Sequence, residues 1–233
     1  MIKSLAMAKT KRENPRKHKP SWVKLSLELL VVFIGVSAGF LFDSFREERS
    51  NRKLEEKYLE SFYNDVLTDS AEIANIIRQD RNNIDISRQT VTAMQEGTLT
   101  RDSAVAMFSV MATYNNLNLE DASYESLVNS GNLGLIRDFG IREKIVYYYR
   151  SYDDLRYVEQ VYNDYITNFI LPYVTESLDF VTGNFVEGFS VDDMQFRNLT
   201  GGYYVLSSQK MELVRTLDSL NHNLRIALSA SID

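Results

Sequence analysis

Residues 22 to 42 read WVKLSLELLVVFIGVSAGFLF. As a helix these 21 residues rise about 31 Å, close to the roughly 30 Å hydrocarbon core of a bilayer. From Leu29 to Phe42 the run is apolar all round, so it has no polar face to show water, as the helix of a soluble core would. Trp22 stands where an interfacial aromatic belongs, and Lys24 can snorkel to the same interface. The stretch is therefore expected to be a retained transmembrane helix. A cleavable signal peptide is the competing reading, because Val36-Ser37-Ala38 offers small residues to a peptidase. Against it, the apolar run continues through Gly39-Phe40-Leu41-Phe42 with no polar region before the cut.

The flanks set the expected orientation. Residues 1 to 24 hold eight Lys and Arg against one acid, Glu13, a net of +7; the whole chain is −6, so residues 25 to 233 carry −13. Beyond the span come five basic residues, Arg46, Arg49, Arg52, Lys53 and Lys57. The excess on the N-terminal side places residues 1 to 21 in the cytoplasm as a basic tail. Residues 43 to 233 then lie outside the cytoplasm, in the periplasm of a bacterium. The tail suits anionic lipid headgroups, whereas the acidic body repels phosphate backbones and excludes a nucleic-acid partner.

Three positions in the span stand out. Glu28 is an ionisable residue within a membrane segment, by default a functional candidate. It lies one turn from Lys24 and near the interface, and only Ser37 offers a polar group deeper in, so an interfacial pair is the plainer reading. Gly35 and Gly39 form a GxxxG step that lets two helices approach closely, by self-association or by docking on another membrane subunit. Simple tolerance of small residues is the alternative.

After the span, residues 46 to 57 are charged and free of Gly and Pro, which predicts a helix with a solvated face. Apolar residues then recur at helical spacing: Leu54, Tyr58, Phe62, Val66, and, past a potential break at Thr68-Asp69-Ser70, Ile73, Ile76, Ile77, Ile84 and Val91. Gly97 ends this region, a short helix starts near Asp102 or Ser103, and another covers about 121 to 130 with Gly131 as its C-terminal cap. The longest pattern is Ile141, Ile145, Tyr148, Tyr152, Leu155, Tyr162, Ile166 and Phe169, which Pro172 should bend or end. Such a tyrosine stripe is more often core than a ligand wall. Residues 179 to 202, with Gly183, Gly188 and Gly201-Gly202, read as irregular, followed by a last helix through Met211, Val214, Leu217, Leu220, Leu224 and Leu228. The expected fold is all-α: a transmembrane helix continuing into an antiparallel helical bundle over residues 43 to 233.

Raw material for catalysis is scarce. The chain has no Cys and two His, His18 and His222, so thiolate chemistry, disulfides and histidine triads or metal sites lack their residues. It contains neither a GxxxxGK[ST] phosphate loop nor a GxSxG elbow. The acidic pairs Asp153-Asp154 and Asp192-Asp193 sit on an acidic surface, where adjacent helical residues point apart. No enzyme activity, cofactor or metal is expected.

The segment 28 to 35 followed by Arg46-Glu47-Glu48-Arg49, and the segment 123 to 136 (SYESLVNSGNLGLI) followed by Arg142-Glu143-Lys144-Ile145-Val146-Tyr147-Tyr148, together resemble an uncharacterised bacterial family of single-span membrane proteins. The resemblance covers about residues 25 to 150, and the basic tail is longer than that family's. It implies a membrane-anchored helical domain, brings no catalytic residues, and draws attention to the shared turn Ser130-Gly131-Asn132. A helix stop that needs positive φ at Gly131 is the plainer account of that turn. Function is accordingly expected to be interaction or scaffolding with other envelope proteins, or, alternatively, ligand sensing passed through the span to a cytoplasmic partner.

Overall fold

The computed structural model describes residues 22 to 232; the basic tail expected over residues 1 to 21 lies outside the described residues. The chain is all-α. Helices are α1 (Trp22–Glu96), α2 (Arg101–Met111), α3 (Ala122–Asn129), α4 (Phe139–Tyr165), α5 (Leu171–Ser177) and α6 (Met194–Ile232). A 3-10 turn (Asn132–Leu135) precedes α4, a π turn (Ile166–Ile170) follows it, and a two-residue hairpin of β1 (Leu178–Asp179) and β2 (Asn184–Phe185) precedes α6.

The chain divides into two compact units, at Ser50 and Asn51, which are taken separately. In the first, α1 from Trp22 onward contains the one helical stretch, among the described residues, long and apolar enough to cross a membrane. None of that window is buried.

The second unit is a bundle of α1 from residue 51, α4 and α6. Cross-helix contacts fix their directions. Asn221 donates to Val66 O, Lys210 pairs with Asp80 and Arg197 donates to Met94 O, so α6 runs antiparallel to α1. Arg137 beside Glu55 and Tyr148 beside Asp69 show α4 running parallel to α1. Two consecutive parallel helices need a return path. Residues 112 to 138 supply it, passing α1 at Asp80, Asp69 and Glu55 in that order.

One core cluster joins Phe62, Val66 and Ile73 of α1 to Ile145, Tyr148 and Leu155 of α4 and Val214, Leu217 and Leu224 of α6. A second gathers Met107, Phe108 and Met111 of α2 with Ile166, Ile170, Phe196 and Tyr203. The residues at helical spacing from 141 to 166 are thus core, as expected of such a tyrosine stripe.

Four details depart from the sequence expectation. Helix α1 runs unbroken through Thr68-Asp69-Ser70, because Asp69 faces inward and finds its partners in tertiary structure. The solvated run 46 to 57 contains one buried residue, Glu55, whose two carboxylate oxygens take Arg137 N–H at 2.7 Å and Nε–H at 2.6 Å. Pro172 does not stop the helical path. It has no N–H to offer, and the π turn just before it re-routes the ladder, carrying Phe169 out to the surface while Ile170 takes the buried position. Finally, α6 starts at Met194, so Gly201-Gly202 is helical. The Tyr165 ring lies against Gly202, in space that a Cβ would occupy, and its hydroxyl reaches Leu199 O at 3.3 Å.

Candidate functional site: a strap held by buried carboxylates

Between α2 and α3 the chain reads TYNNLNLED (113 to 121) and forms no regular element. Asn116, Asn118 and Glu120 are exposed while Leu117 and Leu119 are buried, the period-two pattern of extended backbone. Such a segment has no ladder of its own, and its buried N–H and C=O groups need partners. Side chains provide them. Leu117 N–H donates to Glu159 Oε1 at 2.9 Å, Leu119 N–H to the Tyr152 hydroxyl at 3.1 Å, and Glu120 N–H to Asp69 Oδ1 at 2.9 Å. In the other direction, the Tyr149 hydroxyl donates to Glu120 O at 3.1 Å and Lys210 Nζ to Asn115 O.

Behind the strap lie two polar clusters. In the first, the Lys210 ammonium, 1% exposed, sits 3.1 Å from Asp80 Oδ2 and 3.6 Å from Glu159 Oε1, with the Tyr162 ring 5.5 Å away. Asn115 Nδ2 donates to the other Asp80 oxygen at 3.3 Å. Burial raises the Glu159 carboxyl above its ordinary range, against the opposing pull of Leu117 N–H and Lys210. In the second cluster, the Tyr148 hydroxyl donates to Asp69 Oδ2 at 2.8 Å and accepts from Asn221 Nδ2 at 3.3 Å. Among the described residues no cation pairs with Asp69. Burial pushes it up to about 6, with Asp65 and Glu120 adding repulsion. The arrangement is chemically a clamp: its charges are sealed from solvent and spent on the strap and on one another.

The residues singled out from sequence fall elsewhere. Gly35 and Gly39 are one turn apart on α1, and a Cβ added at either meets nothing within 4 Å among the described residues. Glu28 is exposed on the same helix. The Ser130-Gly131-Asn132 turn is a helix stop: Gly131 has φ +71°, Ser130 Oγ donates to Ser126 O at 2.7 Å, and Asn132 opens the 3-10 turn. Around it, the side chains of Ser126, then Ser130 and Asn132, hold the Tyr58 phenol of α1 below the ordinary tyrosine range. The turn therefore docks the return path on α1.

Sequence reading missed the strap. Its signal was the alternation Asn116-Leu117-Asn118-Leu119-Glu120, too short to register as a strand. The described residues contain no group of three or more His, Asp or Glu arranged to hold a metal. Compared with known proteins, the chain matches no family model, no curated protein and no solved structure.

Proposed function

We propose that this chain is a membrane-anchored interaction or scaffolding protein of the bacterial cell envelope, without catalytic activity. In this reading α1 crosses the cytoplasmic membrane, residues 1 to 21 stay in the cytoplasm, and the bundle stands in the periplasm. The orientation rests on the excess of Lys and Arg before the span.

The observation that carries the reading is where the polar chemistry goes. Lys210, Asp80, Glu159, Asp69, Tyr148 and Asn221 are buried and engaged with one another or with the strap, so they serve to build the bundle. The concave surface is open. A groove of about 620 Å³ between α4 and α6 has an apolar wall of Tyr147, Leu220, Ile226 and Ala227 and a polar rim of Glu143, Lys144 and Asn223, a surface suited to contact with another protein. The test is purification of the tagged full-length protein from its own membranes in mild detergent, with mass spectrometry of what accompanies it. A reproducible stoichiometric envelope protein is the expected result. Recovery of the chain alone, under conditions that preserve known membrane complexes, would overturn a stable scaffold.

A further inference from the structure

From Asn115 to Leu119 the strap uses one of its two edges; at Glu120 the alternation ends, that residue's N–H and C=O both meeting the protein at Asp69 and Tyr149. Asn115 O, Leu117 N–H and O, and Leu119 N–H turn toward the protein and meet Lys210, Glu159 and Tyr152. In extended backbone the main-chain groups of alternate residues point to opposite edges, so those of Asn116 and Asn118 face the other way. Both residues are exposed, and their main-chain groups have no hydrogen-bond partner among the described residues. Proteins commonly blunt an open edge with Lys, Pro or a covering element. Residues 113 to 121 contain neither Lys nor Pro.

The surroundings indicate what would fit. A groove of about 550 Å³ beside the strap is lined by the primary amides of Asn116, Asn118, Gln160 and Asn163, groups that both donate and accept as a peptide main chain does. The exposed charge nearby is acidic. Glu120, Asp153 and Asp164 are exposed and Asp121 is half-buried; the cations among them are Arg156, which lines the groove 3.5 Å from Asp121 and 3.7 Å from Asp153, and Arg150 beside Tyr124, which leaves the surround net acidic.

We propose that the Asn116 to Asn118 edge is a docking site for an extended, basic segment of a partner protein, which adds to the strap as a strand. This rests on the interaction reading above and names the kind of partner it requires. Main-chain pairing supplies the affinity, with alternate side chains of the segment lying toward the amides, and its Lys or Arg residues meet the acidic surround. The strap suits the role because its inner edge is locked, so the outer edge is held extended before anything binds.

The test uses the full chain in lipid nanodiscs, panned against a random linear dodecapeptide library with empty nanodiscs as counter-selection. Enriched peptides should be rich in Lys and Arg. They should slow hydrogen exchange at the Asn116 and Asn118 amides about tenfold or more while leaving Leu117 and Leu119, already bonded, unchanged. Asn118→Pro, which removes one donor and blocks the edge, should weaken binding at least about tenfold, and Asn118→Ala by less than about threefold. A peptide N-methylated at alternate residues repeats that loss without altering the protein. Absence of enriched peptides, or peptides indifferent to both Asn118→Pro and N-methylation, would overturn the docking edge. Enrichment of sequences matching residues 1 to 21 would overturn its assignment to a partner. Because the library contains no native partner, a failed co-purification and a failed edge remain separate results.

Discussion

Replacing Lys210 by Met removes the one cation between Asp80 and Glu159 while keeping the volume of the side-chain stem. Both carboxylates stay buried, 9% and 6% exposed at the side chain, and Asn115 O loses its donor. Breaking a buried ion pair by deleting one partner costs about 3–5 kcal/mol, a large share of the roughly 5–15 kcal/mol that stabilises a domain. For a unit of this size each kcal/mol lowers Tm by about 2–4 °C, so a fall of about 6–20 °C is expected at pH 8. Acid should relieve it. Glu159, already raised by burial, rises further once the ammonium is gone, and taking up a proton removes its buried, unpaired charge. The deficit is therefore present above the raised value and shrinks as pH falls through it. All 14 tyrosines lie beyond the span, at residues 58 to 204, so near-ultraviolet circular dichroism of the full-length protein in detergent reports the bundle. The charge-free variant Lys210→Met, Asp80→Asn, Glu159→Gln should recover most of the loss. A Tm within about 2 °C of the parent at pH 8, or an equal loss at pH 5 and pH 8, would show that the cluster does not hold the strap electrostatically.

Other substitutions probe separate features. Asp69, raised from 3.8 to about 6, contributes stability that is fully present below about pH 4 and lost as pH rises through about 6, up to about 3 kcal/mol. Asp69→Asn should abolish that pH dependence of Tm and lower stability by about 1–3 kcal/mol, since Glu120 N–H and Tyr148 donate to different oxygens and the amide NH2 would replace one of those acceptors. Gly202→Ala meets the Tyr165 ring and should cost about 1–3 kcal/mol, whereas Gly201→Ala, with nothing within 4 Å, should stabilise α6 by about 0.5–1 kcal/mol in the same melt. Gly131→Ala, at φ +71°, should lose about 1–2 kcal/mol and raise hydrogen exchange in residues 130 to 136. Equal effects at Gly201 and Gly202 would refute the Tyr165 contact as the reason for the glycine.

Much of this architecture was legible because helical periodicity records burial directly. The stripe from Ile141 to Ile166 and the run from Met211 to Leu228 each face the core as spacing predicts, with Leu220 partly buried. The glycines at 97 and 131 end helices where positive φ is needed. What periodicity cannot record is a polar side chain whose partner is distant in sequence. Asp69 looked like a break in α1 because its ligands, Glu120 N–H and Tyr148, lie 51 and 79 residues away. Gly201-Gly202 looked like a loop because nothing local shows that Tyr165 fills the space above it. Lys210 and Glu159 gave no warning at all, each being a charged residue in an otherwise ordinary amphipathic helix.

The same clamp explains why the return path is polar inside. An extended segment laid across helices cannot bond to their saturated backbones, so its inward N–H groups require side-chain acceptors. Carboxylates accept strongly, and Glu159 and Asp69 stand where Leu117 and Glu120 arrive. Apolar packing by Leu117 and Leu119 alone would leave those donors unmet. Leucine burial and main-chain pairing select the same register. A slip of one residue drives an asparagine into each leucine site and turns the paired edge outward. Two anchored amides three residues apart forbid that slip. The burial cost of Asp69 and Glu159 thus secures one path for residues 113 to 121, and that path sets α4 parallel to α1 and leaves the Asn116 to Asn118 edge open.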